Sequence, residues 1–256
     1  MVKVIFFDLD GTVLSHTGEP VRESTRQALR ELGKKGIKRI CCTGRNIGEL
    51  AGFDLHGLEF DGYYTDNGQA FYDSKLNPVS FRFLSEQQAD ELVRFFDLKL
   101  MPTLLATQEK LILNYLNDDV RQVLARIDIP VYEEGRYNGE RLLNGVVYAP
   151  QEQEKLISRY LPNAILARWD EQAADIVYNP GGKADALEEY LKKNSLTRQQ
   201  AVAFGDSYND KSMLQAAGIA VAMGNSVAEL KEVADYVAPH IDEGGVYEAL
   251  RHLKLI

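Results

Sequence analysis

The sequence predicts an α/β fold, with a parallel β-sheet as its core and a second, α+β domain inserted into the chain. Three observations support this fold class. Short apolar strands alternate with amphipathic helices near both ends of the chain, a pattern typical of parallel sheets. The middle of the chain has several strands but lacks that alternation. The length of 256 residues suffices for one or two domains, each with its own core.

Composition and charge limit the possible functions. The formal net charge is −9, so we expect no attraction to the phosphate backbone of a nucleic acid. The two cysteines, Cys41 and Cys42, are neighbours, and neighbouring cysteines rarely form a disulfide because the geometry is strained. We therefore expect a reducing compartment, with the cytoplasm as the default. No apolar stretch is long enough to span a bilayer, so no membrane partner is expected.

The N-terminal part of the chain predicts the first strands of the core. Residues 4–7 are uniformly apolar, as in a buried central strand. An apolar stripe predicts a helix over residues 21–32. IKRICCTGR and FDGYYTDNG predict a second and a third strand, ending at residues 43–44 and 66–68. Residues 71–83 predict a hairpin.

The middle of the chain predicts a separate α+β unit. Helices are expected over residues 85–98 and between residues 151 and 161. TLLAT, KLILNYL and GVVYAP read as strands, with a helix between the second and third, and AILARWD and AADIVYN follow as two more strands. We therefore predict an inserted domain at residues 84–178 and a discontinuous core domain at residues 1–83 and 179–256.

Alternation of helices and strands resumes after the insert. GGKADALEEYLKKN predicts a helix, and AVAFGDSYND predicts a strand that ends in an acidic loop. KSMLQAAG, IAVAM and SVAELKEVA then predict a helix, a strand and a helix. The order along the chain is therefore core, insert, core.

Polar residues lie where strands of the core should end. Three strand ends and one helix start contribute seven residues: Asp8, Asp10, Thr43, Gly44, Lys183, Asp206 and Asp210. Ligands of open α/β sheets bind beyond the carboxyl ends of the strands, so these residues should meet there. Clustered carboxylates repel one another without a cation, and oxygen ligands without cysteine or histidine suit Mg²⁺. The sequence thus predicts a magnesium site.

Each of these residues also has an ordinary structural interpretation. An aspartate after a strand often caps a helix or a turn, Thr43-Gly44 could form a turn, and Lys183 could lie on the surface. Their consistent order along the chain favours one shared site. The Thr43 hydroxyl and the N–H groups of Gly44 and Arg45, near an expected helix start, would suit a phosphate group.

Four motifs resemble those of the haloacid dehalogenase (HAD) superfamily of phosphatases: DLDGT, TGR, a lysine before a helix, and GDSYND. TDNGQ, the long insert, MGNS, LKEVADYV and DEGGVYEAL resemble the Cof-type subfamily, which carries a C2 (type IIB) cap. The resemblance covers nearly the whole chain. It implies a Rossmann-like core with a parallel sheet and an inserted α+β cap domain.

The resemblance also implies roles for single residues. Asp8 would be the nucleophile that forms an aspartyl-phosphate, and Asp10 the general acid and base. Mg²⁺ would be held by Asp8, by the backbone carbonyl of Asp10 and by Asp206, with Asp210 close behind. Four residues would bind the phosphoryl oxygens: Thr43, Gly44, Lys183 and Asn209.

The cap is expected to select the substrate by closing over the site, with hinges near residues 82–84 and 178–181. Arg168 could pair with an anion, and Trp169, the only tryptophan, could stack on a ring. Equally, Trp169 could belong to the core of the cap and Arg168 to its surface. Arg45 is a further candidate for contacting the substrate. His16 lies outside the motifs and receives no role.

Together these residues predict a Mg²⁺-dependent phosphomonoester hydrolase for a small phosphorylated metabolite, with a sugar phosphate as the first choice. Pyridoxal phosphate or a nucleotide is an alternative substrate, and a phosphomutase is an alternative reaction. A phospho-aspartate receiver domain is the non-enzymatic alternative, but such domains are shorter and need no cap. The sequence indicates no oligomeric state.

Overall fold

Two β-sheets organise the described part of the protein, one of eight strands and one of five. The computed structural model describes residues 1–51, 54–127, 129–179 and 181–256. In chain order, the strands are β1 (Val4–Phe7), β2 (Lys38–Cys42), β3 (Gly62–Thr65), β4 (Ala70–Asp73), β5 (Pro78–Phe81), β6 (Thr103–Thr107), β7 (Leu111–Leu113), β8 (Leu142–Val147), β9 (Ala164–Asp170), β10 (Ala173–Tyr178), β11 (Ala201–Gly205), β12 (Ile219–Ala222) and β13 (Tyr236–Val237).

Nine helices accompany these strands in the described part of the chain. They are α1 (Glu23–Lys34), α2 (Ile47–Ala51), α3 (Glu86–Leu98), α4 (Asp118–Arg126), α5 (Glu154–Tyr160), α6 (Lys183–Lys193), α7 (Lys211–Ala216), α8 (Ala228–Lys231) and α9 (Gly245–His252). No helix among the described residues is long and apolar enough to cross a membrane.

The eight-stranded sheet forms the core, in the order β13-β12-β11-β1-β2-β3-β4-β5. It is parallel from β13 to β3 and antiparallel from β3 to β5. The central position of β1 explains its sequence, because both of its faces are covered. Ile5 and Phe7 pack on the side of α1 and α9, and Val4 and Phe6 on the side of α6 and α7.

The register of the core sheet brings distant segments together. Phe7 of β1 pairs with Phe204 of β11 on one side and with Cys41 of β2 on the other. Since the three strands are parallel, their carboxyl ends lie at the same edge. The residues that follow them therefore meet, although about 200 residues of chain separate β1 from β11.

The five-stranded sheet has the order β7-β6-β8-β10-β9 and is antiparallel throughout. Apolar residues of α3 and α5, including Leu92, Phe95 and Ile157, pack on one face of it. The chain enters this unit between β5 and α3 and leaves it between β10 and α6. The predicted domain limits at 83/84 and 178/179 stay predictions, and Pro180 of the predicted second hinge lies outside the described residues.

The architecture confirms the predicted α/β fold with an α+β insert. Some predicted limits were wrong. The helix predicted at residues 21–32 begins only at Glu23, because the backbone of Arg22 is still extended, and it continues to Lys34. The helix predicted between residues 151 and 161 does lie there, spanning Glu154–Tyr160 after a turn of 3₁₀ helix.

Candidate active site

Asp8, directly after β1, forms an ion pair with a buried lysine. Lys183, at the start of α6, is 1% exposed, and its Nζ lies 2.5 Å from Asp8 Oδ1 and 2.6 Å from Asp210 Oδ1. Burial lowers the pKa of Lys183, but the charges of Asp210 and Asp8 outweigh that effect and raise it above its usual value. The lysine is therefore a fixed positive charge between two carboxylates.

The loop after β11 is built around Asp206 and Asp210. One carboxylate oxygen of Asp210 accepts hydrogen bonds from the backbone N–H groups of Asp206 and Ser207, both at 3.0 Å. Thr12 Oγ1 donates to Asp206 Oδ1 at 2.8 Å. Gly11 has φ +79°, and a Cβ there would lie 2.3 Å from Asp206 Oδ2. Only glycine allows the loop after β1 to approach the loop after β11 this closely.

Three carboxylates at this edge of the sheet can hold a metal ion. Oxygen atoms of Asp8, Asp206 and Asp210 all lie within 4.8 Å of one another. Burial and the neighbouring negative charges raise the pKa values of Asp8 and Asp206, so concentrated negative charge is costly here. The donor set is oxygen alone, which fits a hard divalent cation such as Mg²⁺. The side chain of Asp10 is not in this group.

Asp10 is bound instead by a cation from the loop after β2. Arg45 donates from Nε to Asp10 Oδ2 at 2.8 Å and from Nη2 to Asp10 Oδ1 at 2.7 Å. His16 Nε2 lies 2.8 Å from the same Oδ1. Burial raises the pKa of Asp10, but the hydrogen bonds from Arg45 and His16 outweigh it and lower the pKa to about 2. Asp10 is therefore a carboxylate in this arrangement.

A cavity of about 270 Å³ opens above these residues, between the core and the cap. The predicted residues of the core that line it are Asp8, Asp10, Thr43, Gly44, Arg45, Asp206 and Asn209. Lys183 and Asp210 lie behind the lining, where they contact Asp8 and Asp206. The structure thus gathers the sequence motifs at one place. The roles predicted for the single residues stay predictions.

The two candidate residues of the cap point in different directions. Trp169 lines the cavity, and its Nε1 donates to Asp175 Oδ1 at 3.0 Å. Arg168 donates instead to Glu154 at 2.9 Å and to the backbone carbonyl of Ala149 at 3.1 Å. This difference follows from strand geometry, since neighbouring residues of β9 face opposite sides of the sheet.

Several residues of the site escaped the sequence analysis. Asp175 of the cap accepts a hydrogen bond from Asn67 Nδ2 at 2.6 Å, and Asn67 in turn accepts one from Asn209 Nδ2 at 3.2 Å. Burial raises the pKa values of Asp66 and Asp175 to about 7. Asp66 and Asn67 stand in the quoted segment TDNGQ, which could have indicated them.

Two other residues of the site carried no signal in the sequence. Glu49 in α2 accepts a hydrogen bond from the hydroxyl of Tyr132 in the cap. His16, to which we assigned no role, contacts Asp10. Neither lies in a motif. The contact of Glu49 depends on how the cap packs on the core, and the contact of His16 depends on the path of the loop after β1.

The sequence profile of one protein family matches residues 5–250, and that family is described as haloacid dehalogenase-like hydrolases. The chain belongs to this family. Two proteins of Bacillus subtilis (strain 168) are similar to this HAD chain along nearly its whole length. YkrA, assigned as a phosphatase, is 31% identical and covers 99% of this chain and 98% of its own. YcsE, a 5-amino-6-(5-phospho-D-ribitylamino)uracil phosphatase, is 30% identical and covers 98% and 95%.

A solved structure extends the HAD comparison to the cap. The subclass IIB sugar phosphatase BT4131 superimposes with a TM-score of 0.89 at 26% identity, over 100% of both chains. The family, the relatives and this structure confirm the predicted HAD chain of Cof type with a type IIB cap. They also confirm the predicted class of enzyme, a hydrolase of phosphoric monoesters.

Proposed function

We propose that this HAD enzyme is a Mg²⁺-dependent phosphatase of a small phosphorylated metabolite, in the first instance a sugar phosphate, and that it works through an aspartyl-phosphate on Asp8. The position of Asp8 carries the proposal. It is a buried carboxylate that faces the cavity, is held by Lys183 and adjoins Asp206 and Asp210. The similarity to the sugar phosphatase BT4131 supports the choice of substrate class.

The proposed reaction has two steps, the formation and the hydrolysis of an aspartyl-phosphate on Asp8. In the first step Asp8 attacks phosphorus, the bond from phosphorus to the leaving oxygen breaks, and Asp10 gives that oxygen a proton. Because Lys183 binds Oδ1 of Asp8, we assign the attack to Oδ2. In the second step Asp10 takes a proton from a water that attacks the aspartyl-phosphate. Inorganic phosphate leaves and the Asp8 carboxylate is restored.

Arg45 has to release Asp10 before the first step. A general acid needs a proton, and the ion pair with Arg45 keeps Asp10 deprotonated. A substrate phosphate would compete for the guanidinium, since both are oxyanions that suit a bidentate arginine. In this proposal Arg45 moves its hydrogen bonds from Asp10 to the substrate, and Asp10 then gains its proton.

The remaining groups of the site position the phosphoryl oxygens. The Thr43 hydroxyl, the Gly44 N–H, the Asn209 amide and the Lys183 ammonium are the proposed donors. Asp8, Asp206 and the backbone carbonyl of Asp10 would hold Mg²⁺, with Asp210 behind Asp206. When bound, the ion would neutralise charge between the Asp8 carboxylate and the phosphate.

The test is phosphate release from a panel of phosphorylated metabolites with Mg²⁺, including sugar phosphates, pyridoxal phosphate and nucleotides. Asp8→Asn should lower kcat by about a thousandfold or more, because the nucleophile is lost. Asp97→Asn, which removes an exposed aspartate from α3, is the matched control and should keep full activity.

Other outcomes would contradict the proposal in distinct ways. Substantial turnover by Asp8→Asn would remove Asp8 as the nucleophile. A phosphorylated isomer formed without free phosphate would indicate a phosphomutase. A phosphorylated Asp8 that persists without turnover would indicate a receiver-like signalling domain.

A further inference from the structure

The roof of the cavity is one face of the cap sheet. Side chains two residues apart on a strand share a face, and Leu104 with Ala106 on β6 and Asn144 with Val146 on β8 line the cavity in this way. The register places Leu104 opposite Val146 and Ala106 opposite Asn144. Leu111, Ile127 and Ile129 extend the same lining. The roof is therefore mainly aliphatic, with Asn144 as its amide.

The wall between this roof and the phosphate end carries carboxylates. Glu49 and Asp66 come from the core and Asp175 from the cap, and all three line the cavity. Glu49 also accepts a hydrogen bond from the backbone N–H of Asn46 at 2.7 Å. Such groups offer acceptors to a hydroxyl or an amine, and in their ionised form they repel an anion.

Positive charge is confined to the phosphate end of the cavity. Among its described lining residues, the side chains that can be cationic are Arg45 and His16, and both contact Asp10. Away from the phosphate end, an anionic substituent on the leaving group would lie among aliphatic, aromatic, amide and acidic side chains, with no cationic side chain among the described lining residues there. Burying such a charge without a partner is strongly unfavourable.

We propose that the cavity selects an uncharged leaving group that has hydrogen-bond donors and an apolar face, and that it excludes leaving groups with a carboxylate or a second phosphate. Glu49 is the proposed specificity-determining residue. The inference rests on the proposed function, because it takes the phosphate to lie at Asp8. A volume of about 270 Å³ agrees with one small leaving group, since ligand pockets typically measure about 300–1,000 Å³.

Matched pairs of substrates test the proposal on the full-length enzyme with Mg²⁺. Phenyl phosphate and 4-carboxyphenyl phosphate differ by one carboxylate. In the second pair, sn-glycerol 1-phosphate and 3-phospho-D-glycerate, a hydroxymethyl group stands in place of the carboxylate and the configuration at C2 is the same. We expect kcat/KM to be at least about tenfold higher for the uncharged member of each pair, the scale of a like-charge contact. Equal values, or a preference for the anionic members, would overturn the proposal.

Glu49→Gln tests whether the discrimination comes from the wall carboxylates. This variant removes one negative charge and keeps the shape, so the ratio within each pair should fall by about threefold or more. Glu59→Gln removes the charge of an exposed glutamate of the core and is the matched control, with an unchanged ratio. Thermal unfolding and the kcat for phenyl phosphate show whether each variant is folded.

The results separate this inference from the proposed function. If no phosphomonoester is hydrolysed, the proposed function fails. If phenyl phosphate is hydrolysed but 4-carboxyphenyl phosphate reacts equally well, only the selectivity of the cavity fails. A wild-type preference that Glu49→Gln leaves unchanged would remove Glu49 as the specificity-determining residue.

Discussion

At the scale of single residues, each of the two aspartates of DLDGT pairs with a positively charged residue from a different part of the chain. Lys183 binds Asp8, and Arg45 binds Asp10. Asp8 faces a buried group of carboxylates, whereas Asp10 forms a bidentate ion pair. Two residues of the same type, two positions apart, therefore have pKa values moved in opposite directions, up for Asp8 and down for Asp10.

Asp66 gives a prediction at this scale. Its pKa is about 7 in the folded protein against an ordinary 3.8, so the folded state binds more protons between these values. The stability that Asp66 confers is thus present at low pH and falls as pH rises towards 7. Asp66→Asn should remove this loss, and asparagine tolerates the positive φ of 52°.

Urea unfolding at pH 5 and pH 8 measures this effect. The free energy of unfolding of Asp66→Asn minus that of the wild type should be roughly 2 kcal/mol larger at pH 8 than at pH 5. Asp97→Asn controls for the loss of an exposed aspartate. An Asp66→Asn difference that is the same at both pH values would contradict the prediction.

At the scale of elements, the sequence predicted the parts whose pattern is local. The buried run of β1 and the motifs at the ends of β1, β2 and β11 indicate both the strands and the polar edge. The sequence analysis missed β13, because its two residues, Tyr236–Val237, form no alternating pattern. It also missed the contact between α2 and the cap, because no periodicity within one element encodes how two elements meet.

Tyr132 tests that contact. Its hydroxyl donates to Glu49 across the boundary between cap and core. Tyr132→Phe should lower kcat/KM by about tenfold, mainly through KM, because a hydrogen bond to a charged group that favours the closed cap is lost. Steady-state kinetics measure the change. Tyr137→Phe is the control, because the Tyr137 hydroxyl donates to the backbone carbonyl of the nearby Glu140 and not to the core. Unchanged kinetics for Tyr132→Phe would contradict the prediction.

At the scale of the whole molecule, the site exists only because the insert leaves the parallel sheet intact. The chain departs after the edge strand β5 and returns at α6, so β1, β2 and β11 remain neighbours. The cavity then has a floor from the core and a roof from the cap. The sequence motifs predicted the residues that the core contributes to the cavity. The residues that the cap contributes depend on how the two sheets pack together, which the motifs do not indicate.

Removal of metal is a prediction for the molecule as a whole. EDTA should abolish phosphate release and excess Mg²⁺ should restore it, because the three carboxylates could hold the Mg²⁺ that the proposed reaction uses. Mg²⁺ should also raise Tm, since a ligand of the native state stabilises it by mass action. Asp206→Asn should reduce that rise in Tm. Hydrolysis that persists in EDTA would contradict the magnesium site.

The side chain of Asn67 joins three separate segments through one amide. Its oxygen accepts from Asn209, and its nitrogen donates to Asp175, which also accepts from Trp169. While Asp175 is deprotonated, its carboxylate has no proton to give, and with Asn209 as the donor the amide of Asn67 satisfies both ends in this orientation. The donors therefore form a chain with a fixed direction, from the loop after β11 to the cap, and a half-turn of this amide would break both links together.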